Sequence, residues 1–122
     1  AMLIRCVKGG LDKKIDECLA EGAAVDSRDL TSVYRETALQ VASGRGLHKC
    51  VERLLARGAN ASLIDTQGNT ALHDASLNGH TRAVRALINA SAAQGAQPPL
   101  ARQRNRLGLT PLHCAAANGH VA

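Results

Sequence analysis

The sequence predicts an all-α solenoid of stacked helix-turn-helix units, about three and a half of them. Three observations predict it. The first is internal repetition. Residues 39–59 (LQVASGRGLHKCVERLLARGA) repeat residues 3–23 (LIRCVKGGLDKKIDECLAEGA) at an offset of 36, with Leu, Gly, Leu, Lys, Leu, Ala, Gly and Ala coinciding. Residues 72–92 follow the second copy at an offset of 33, and residues 112–122 follow the third at 40, as an incomplete fourth copy. The second is composition: there is no Phe or Trp, a single Tyr, and 22 Ala among 122 residues. Such a core is built from Ala, Leu, Val and Ile at short distance, which suits thin, closely packed helices and suits strands poorly. The third is size. A two-helix unit of this length cannot bury its own apolar face, whereas stacking on its neighbours buries it.

The units fall at approximately 3–29, 37–64, 65–92 and 105–122, joined by long loops at 30–36 and 93–104. The third shows the plan. A turn with Asp65, Gln67-Gly68 and Asn69 comes first. A helix over 70–77 follows, with Leu72, Ala75 and Ser76 on one side. Asn78-Gly79 breaks it, because glycine tolerates the left-handed turn that ends a helix. A second helix over 81–90 presents Val84, Leu87 and Ile88 as its apolar face.

At this point the chain resembles a known family. The segments DTQGNTALHDASLNGH (65–80) and LGLTPLHCAAANGH (107–120) look like the ankyrin repeat, whose hallmark is T-P-L-H-x-A at a period near 33. Thr70, Leu72, His73, Ala75, Gly79 and His80 match, with Ala71 in place of Pro. Thr110, Pro111, Leu112, His113, Ala115, Ala116, Gly119 and His120 match fully. In the second repeat Gln40 replaces the hallmark His, and the first repeat lacks the segment and looks like an N-terminal cap. The resemblance implies that His73 and His113 hydrogen-bond between neighbouring loops and that His80 and His120 do similar local work. Relative to the family, the loop at 30–36 is about three residues longer and the later one about seven. The sequence stops inside the second helix of repeat four, so the face of Leu112, Ala115 and Ala116 lacks its cover, and Ala1-Met2 resembles a cloning remnant. The chain therefore reads as an excerpt of a longer protein, expected to self-associate or fray after about Leu109.

Charge and cysteine usage bound the function classes. Residues 1–74 hold ten basic and ten acidic side chains; residues 75–122 hold Arg82, Arg85, Arg102, Arg104 and Arg106 and no acid, so the net charge of +5 sits there. The apolar runs fall far short of a membrane span, and no signal peptide is visible. Cys6, Cys18, Cys50 and Cys114 form no CxxC pair, which points to a reducing, intracellular setting, cytoplasmic or nuclear. Cys6 and Cys18 take positions filled by Ala42 or Leu54 in other copies and read as core; Cys50 and Cys114 fall at variable positions. The histidines recur at repeat spacing rather than clustering as zinc requires. His113-Cys114 are adjacent on a helix and point apart, Ser43-Gly44-Arg45-Gly46 lacks the G-K-[ST] ending of a phosphate loop, and no carboxylate pair stands outside loops or salt-bridge positions. No enzyme, cofactor, metal or small-molecule substrate is therefore expected.

The leading reading is a non-enzymatic protein-interaction module that uses its concave face. By resemblance, loop tips and inner-helix positions bind: Tyr34, Arg35, Glu36, Gly44 and Arg45 around repeat two, and Lys8 in repeat one. Thr66, Gln67, Asn69, Leu77 and Asn78 follow for repeat three, then Arg106, Leu107, Leu109, Ala117 and Asn118 for repeat four. Tyr34, beside Val33, is the one aromatic and a natural anchor unless it folds back over its own loop. Arg102, Arg104 and Arg106 alternate, so an extended chain would align three guanidiniums to meet an acidic partner segment, while Gln94-Gly95 and Pro98-Pro99 argue for a merely solvated loop. The alternative is electrostatic binding of nucleic acid or anionic lipid by the basic C-terminal half, without the aromatics that stack on bases.

Overall fold

A computed structural model describes residues 2–10, 12–22, 24–30, 32–95 and 100–117. Among these residues the chain is all helix and loop. Its helices are α1 (Met2–Lys8), α2 (Asp12–Ala20), α3 (Ala38–Gly44), α4 (His48–Ala56), α5 (Ala71–Leu77), α6 (Thr81–Gln94) and α7 (Pro111–Ala117), with a 3-10 turn at Leu100–Arg102. Helices pair as α1 with α2, α3 with α4 and α5 with α6. The inner helices α1, α3, α5 and α7 stack in sequence, and α2, α4 and α6 form the second layer. This is the expected solenoid.

The helices are short, so their ends must be held from outside. Thr37 and Thr70 stand in extended conformation just before α3 and α5. The Thr37 hydroxyl accepts from the Gln40 N–H, and the Thr70 hydroxyl from that of His73. The third helical side chain returns the bond: the Thr37 N–H donates to Gln40 Oε1 at 2.9 Å and the Thr70 N–H to His73 Nδ1 at 3.1 Å. The far end of the same side chain crosses to the next loop. Gln40 Nε2 donates to the Asn69 carbonyl at 2.6 Å, and His73 Nε2 lies 2.9 Å from the Leu109 carbonyl. Gln40 thus performs the work of the histidine it replaces, because an amide offers the same acceptor and donor. His113 makes the corresponding bonds to Thr110.

The core runs between the layers through Leu39, Val51, Leu54, Leu72 and Leu87, with Ala42 and Ala75 fully buried where inner helices approach. Gly46, at φ +71°, turns α3 into α4, and a Cβ there would meet the His80 ring at 2.5 Å. His80 Nε2 itself lies 3.2 Å from the Gly44 carbonyl, so the turns are bonded between repeats as the loops are. On the outer layer Asp16 of α2 receives Arg53 of α4 and Arg57 just past its end, at 2.5 and 3.1 Å.

Three expectations are corrected. The buried face of α6 is centred on Ala83, Leu87 and Ser91, and Ile88 is 44% exposed. Helix α6 runs past residue 90 to Gln94, because the Gln94 side chain bonds the Ala59 carbonyl and the Ala61 N–H of the preceding repeat; Gly95 then ends it at φ +68°. Residues 100–104 of the second long loop are not simply solvated: Leu100 is buried against α6 and α7 from a 3-10 turn. Residues 96–99, with Pro98 and Pro99, and the end of the chain after residue 117 lie outside the described residues. Cys50 and Cys114, at variable positions of the repeat, are buried like Cys6 and Cys18.

Two substitutions test this packing. Leu87→Asp places a charge at a fully buried position between repeats and is expected to unfold the C-terminal half. Melting like the wild type, followed by circular dichroism, would contradict the register. Gln40→Ala strands the Thr37 N–H and the Asn69 carbonyl and should cost about 1–3 kcal/mol in urea denaturation. Gln40→His keeps both bonds and should cost much less, and equal losses would show that the side chain merely fills space.

Candidate functional site

The loops form a ladder that fixes the tips. Asp65 Oδ1 accepts from the Gln67 and Asn69 N–H groups, and its own N–H donates to the Asn69 carbonyl. Asn105 repeats the pattern with Leu107 and Leu109. In the lengthened first loop the Asp29 N–H donates to the Glu36 carbonyl at 2.7 Å, so the extra residues are extruded between two fixed ends. Rungs join the loops: the Thr66 N–H donates to the Tyr34 carbonyl, the Arg106 N–H to the Gln67 carbonyl, and Asn105 Nδ2 to Asn69 Oδ1. Gly68, at φ +75°, leaves room for the Arg106 backbone, whose nitrogen a Cβ would meet at 2.9 Å.

This ladder divides the sequence-predicted residues. Asn69 and Leu109 are half-buried and use their polar groups for stacking. Thr66, Gln67 and Leu107 stand exposed at the tips. Tyr34 is 48% exposed beside the more open Val33, so its ring neither covers its loop fully nor leaves it. Arg35 adopts φ +53°, and its carbonyl accepts from Arg28, which also reaches the Ile64 carbonyl at 2.7 Å. Leu77 is partly exposed at the end of α5. Asn118 lies outside the described residues, as does the side chain of Ala117.

Two concavities draw on these residues. The first, of about 320 Å³, lies on the inner-helix face and joins three repeats. Lys8 ends α1, Gly44 and Arg45 end α3, and Asn78 ends α5; Asp29, Ser32 and Glu36 come from the first loop and Asp74 from the middle of α5. Lys8 Nζ pairs with Asp29 at 2.6 Å, Arg45 donates to the Lys8 carbonyl at 3.3 Å, and Asn78 Nδ2 donates to the Gly44 carbonyl at 3.1 Å. Asp74 Oδ2 is buried there without a hydrogen-bond partner. Burial, and then the charges of Asp65 and Glu36, push the Asp74 carboxyl up to about 8, so it holds its proton at neutral pH.

The second is an open hollow of about 580 Å³ lined by Arg102, Arg104 and Arg106 with Ile64 and Gly68. The alternating array of an extended strand is not what brings them together. Arg102 belongs to the 3-10 turn, and Arg104 donates to the Gly108 carbonyl at 2.8 Å. All three nonetheless border one space.

Sequence reasoning found Lys8, Glu36, Gly44, Arg45 and Asn78 but missed Asp29, Ser32 and Asp74. The one signal for Asp74 was an acid within an otherwise uncharged seven-residue helix, ALHDASL. Among the described residues no three His, Cys, Asp or Glu side chains gather in a metal-holding group, and no helix is long and apolar enough to cross a membrane.

Known proteins share these repeats in sequence. A family model for ankyrin repeats, in three copies, matches residues 3–101, and one for a single ankyrin repeat matches residues 107–122. The chain is 34% identical over 87 residues to ankyrin repeat domain-containing protein SAT10 of Stachybotrys chartarum, which covers 71% of this chain and 4% of that protein. It is 42% identical over 69 residues to the probable E3 ubiquitin-protein ligase XBOS31 of Oryza sativa subsp. japonica, covering 55% and 16%. It is 33% identical over 92 residues to NF-kappa-B inhibitor zeta of Bos taurus, covering 75% and 13%. The chain thus spans less than a fifth of each of these relatives. Repeat models over residues 3–101 and 107–122, on helix pairs stapled loop to loop, make this chain a member of the ankyrin repeat family.

Proposed function

We propose that the chain binds another protein across its inner-helix face, with the cavity between Lys8, Arg45, Asp74 and Asn78 as the centre of recognition. Ankyrin repeats are protein–protein interaction modules, and the family is generally non-catalytic. The observation that carries the finer reading is the buried, unpartnered Asp74 Oδ2 beside a cavity to which three repeats contribute. An orphaned buried carboxyl lowers stability, and a donor from a docked segment would satisfy it. Stacking fixes the groups around it beforehand, so little ordering entropy is lost on binding.

The arginine hollow supplies the charge preference. Arg102, Arg104 and Arg106 favour an acidic stretch of the partner, with exposed Tyr34 and Leu107 as apolar contacts nearby in the loop ladder. The free thiols fit a reducing compartment inside the cell. Binding of nucleic acid or anionic lipid by the same arginines is the competing reading, and it requires a steep loss of affinity with salt.

The test is quantitative binding to a partner captured from nuclease-treated extract. Charge reversal at Arg45 (Arg45→Glu) together with Asn78→Arg should weaken binding tenfold or more if the inner-helix face is the site. Arg102, Arg104 and Arg106 changed together to Ser should weaken it less and mainly flatten its salt dependence. A partner indifferent to the first variant would move recognition off that face, and retention of nucleic acid alone would favour the electrostatic alternative.

Asp74 gives a pH prediction. The folded state keeps the Asp74 proton up to about pH 8, whereas the unfolded chain releases it near 3.8. The native state therefore binds more protons between these values, and this contribution to stability falls as pH rises from about 4 to about 8. Asp74→Asn removes the dependence and should raise stability at pH 7.5 by about 1–3 kcal/mol while weakening partner binding. Unchanged stability curves between pH 4 and 8 would show that Asp74 is not held protonated.

A further inference from the structure

Cys6 on α1 and Cys18 on α2 hold their sulfurs 3.3 Å apart. Both are free thiols, buried in the core cluster that includes Leu3, Val7 and Ile15. The same two positions carry Ala42 and Leu54 in the second repeat and Ala75 and Leu87 in the third, so the first repeat alone among these three has a thiol on each helix. A disulfide is about 2.0 Å long, so the sulfurs need approach by only about 1.3 Å.

We propose that Cys6 and Cys18 form an oxidation site that closes to a disulfide in the presence of a hydroperoxide and staples the two helices of the first repeat. The reaction balances with that oxidant alone. One sulfur, as thiolate, attacks the peroxide O–O bond, becomes a sulfenic acid and releases hydroxide, which takes up the proton that the thiol gave up. The second sulfur attacks the sulfenic sulfur, forms the S–S bond and expels the oxygen as water. Two thiols and one hydrogen peroxide give one disulfide and two waters.

The setting makes closure slow rather than absent. The contact with Cys6, then burial, hold the Cys18 thiol above its ordinary value, so reaction is fastest when the helix pair opens locally. Lys8 lies two residues beyond Cys6 and forms a wall of the inner-helix cavity through its bond to Asp29. Closure would therefore stiffen that wall.

The test is treatment of the full chain with hydrogen peroxide, read by intact mass, free-thiol labelling and peptide mass mapping. The expected product is a monomer two hydrogens lighter, with free thiols reduced from four to two, a Cys6–Cys18 cross-link, and reversal by dithiothreitol. Amide exchange across residues 2–20 should slow in the oxidised form. Cys18→Ser should instead leave Cys6 as a sulfenic acid that dimedone traps, and Cys18→Ala serves if serine unfolds the repeat. A cross-link to Cys50 or Cys114, oxidation to sulfinic acid without any cross-link, or four intact thiols after an unfolded control has oxidised completely would each overturn the proposal.

Discussion

The fold depends on one recurring bond: a side chain three residues into α3 and into α5 that caps its own helix at one end and holds the next loop at the other. Gln40 reaches the Asn69 carbonyl and His73 reaches that of Leu109, and both accept from the N–H of a capping threonine. Seven-residue helices have little stability alone, since nucleation costs more than so few bonds return. The bond joins cap and stack, so a helix and its neighbour form together. It also fixes the chemistry of His73. Nδ1 accepts from Thr70, so Nε2 must carry the proton that meets Leu109, and burial keeps the ring below its ordinary basicity despite that carbonyl.

A backbone held this way has surface chemistry to spare. Asp65 and Asn105 close the turns, Gly68 admits the neighbouring strand of loop, and the exposed tips carry side chains that stacking does not need. The inner-helix cavity shows the opposite economy. Asp74 sits where a side chain with no orphaned polar atom would make the stack more stable; Val41 and Cys114 hold the corresponding positions. Polar residues that cost stability without serving the scaffold are where a recognition role is sought.

Much of this was legible in the sequence. Offsets of 36, 33 and 40 revealed the repetition, and Thr70 with Asn78-Gly79 bounded α5 correctly, because caps and breakers act locally. Leu87 was legible as core because it recurs as Leu54. What failed was not local. Leu100 shows no periodicity in its own segment, and its burial comes from α6 and α7 folding around it. The extension of α6 depends on Gln94 finding Ala59 and Ala61 in another repeat. Asp74 looks like a solvated helix acid until the first loop closes over the same cavity, and the Cys6–Cys18 contact appears only when α1 lies against α2.

The central claim is that the side chain at the hallmark position bonds between repeats rather than filling space. Nitrogen-15 NMR of the imidazole ring of His73 tests it most directly. The expected result is the Nε2–H tautomer, a through-bond coupling from Nε2 to the Leu109 carbonyl, and a ring that stays neutral to lower pH than an ordinary histidine. A ring protonated at Nδ1, or one titrating like a free histidine without that coupling, would contradict it.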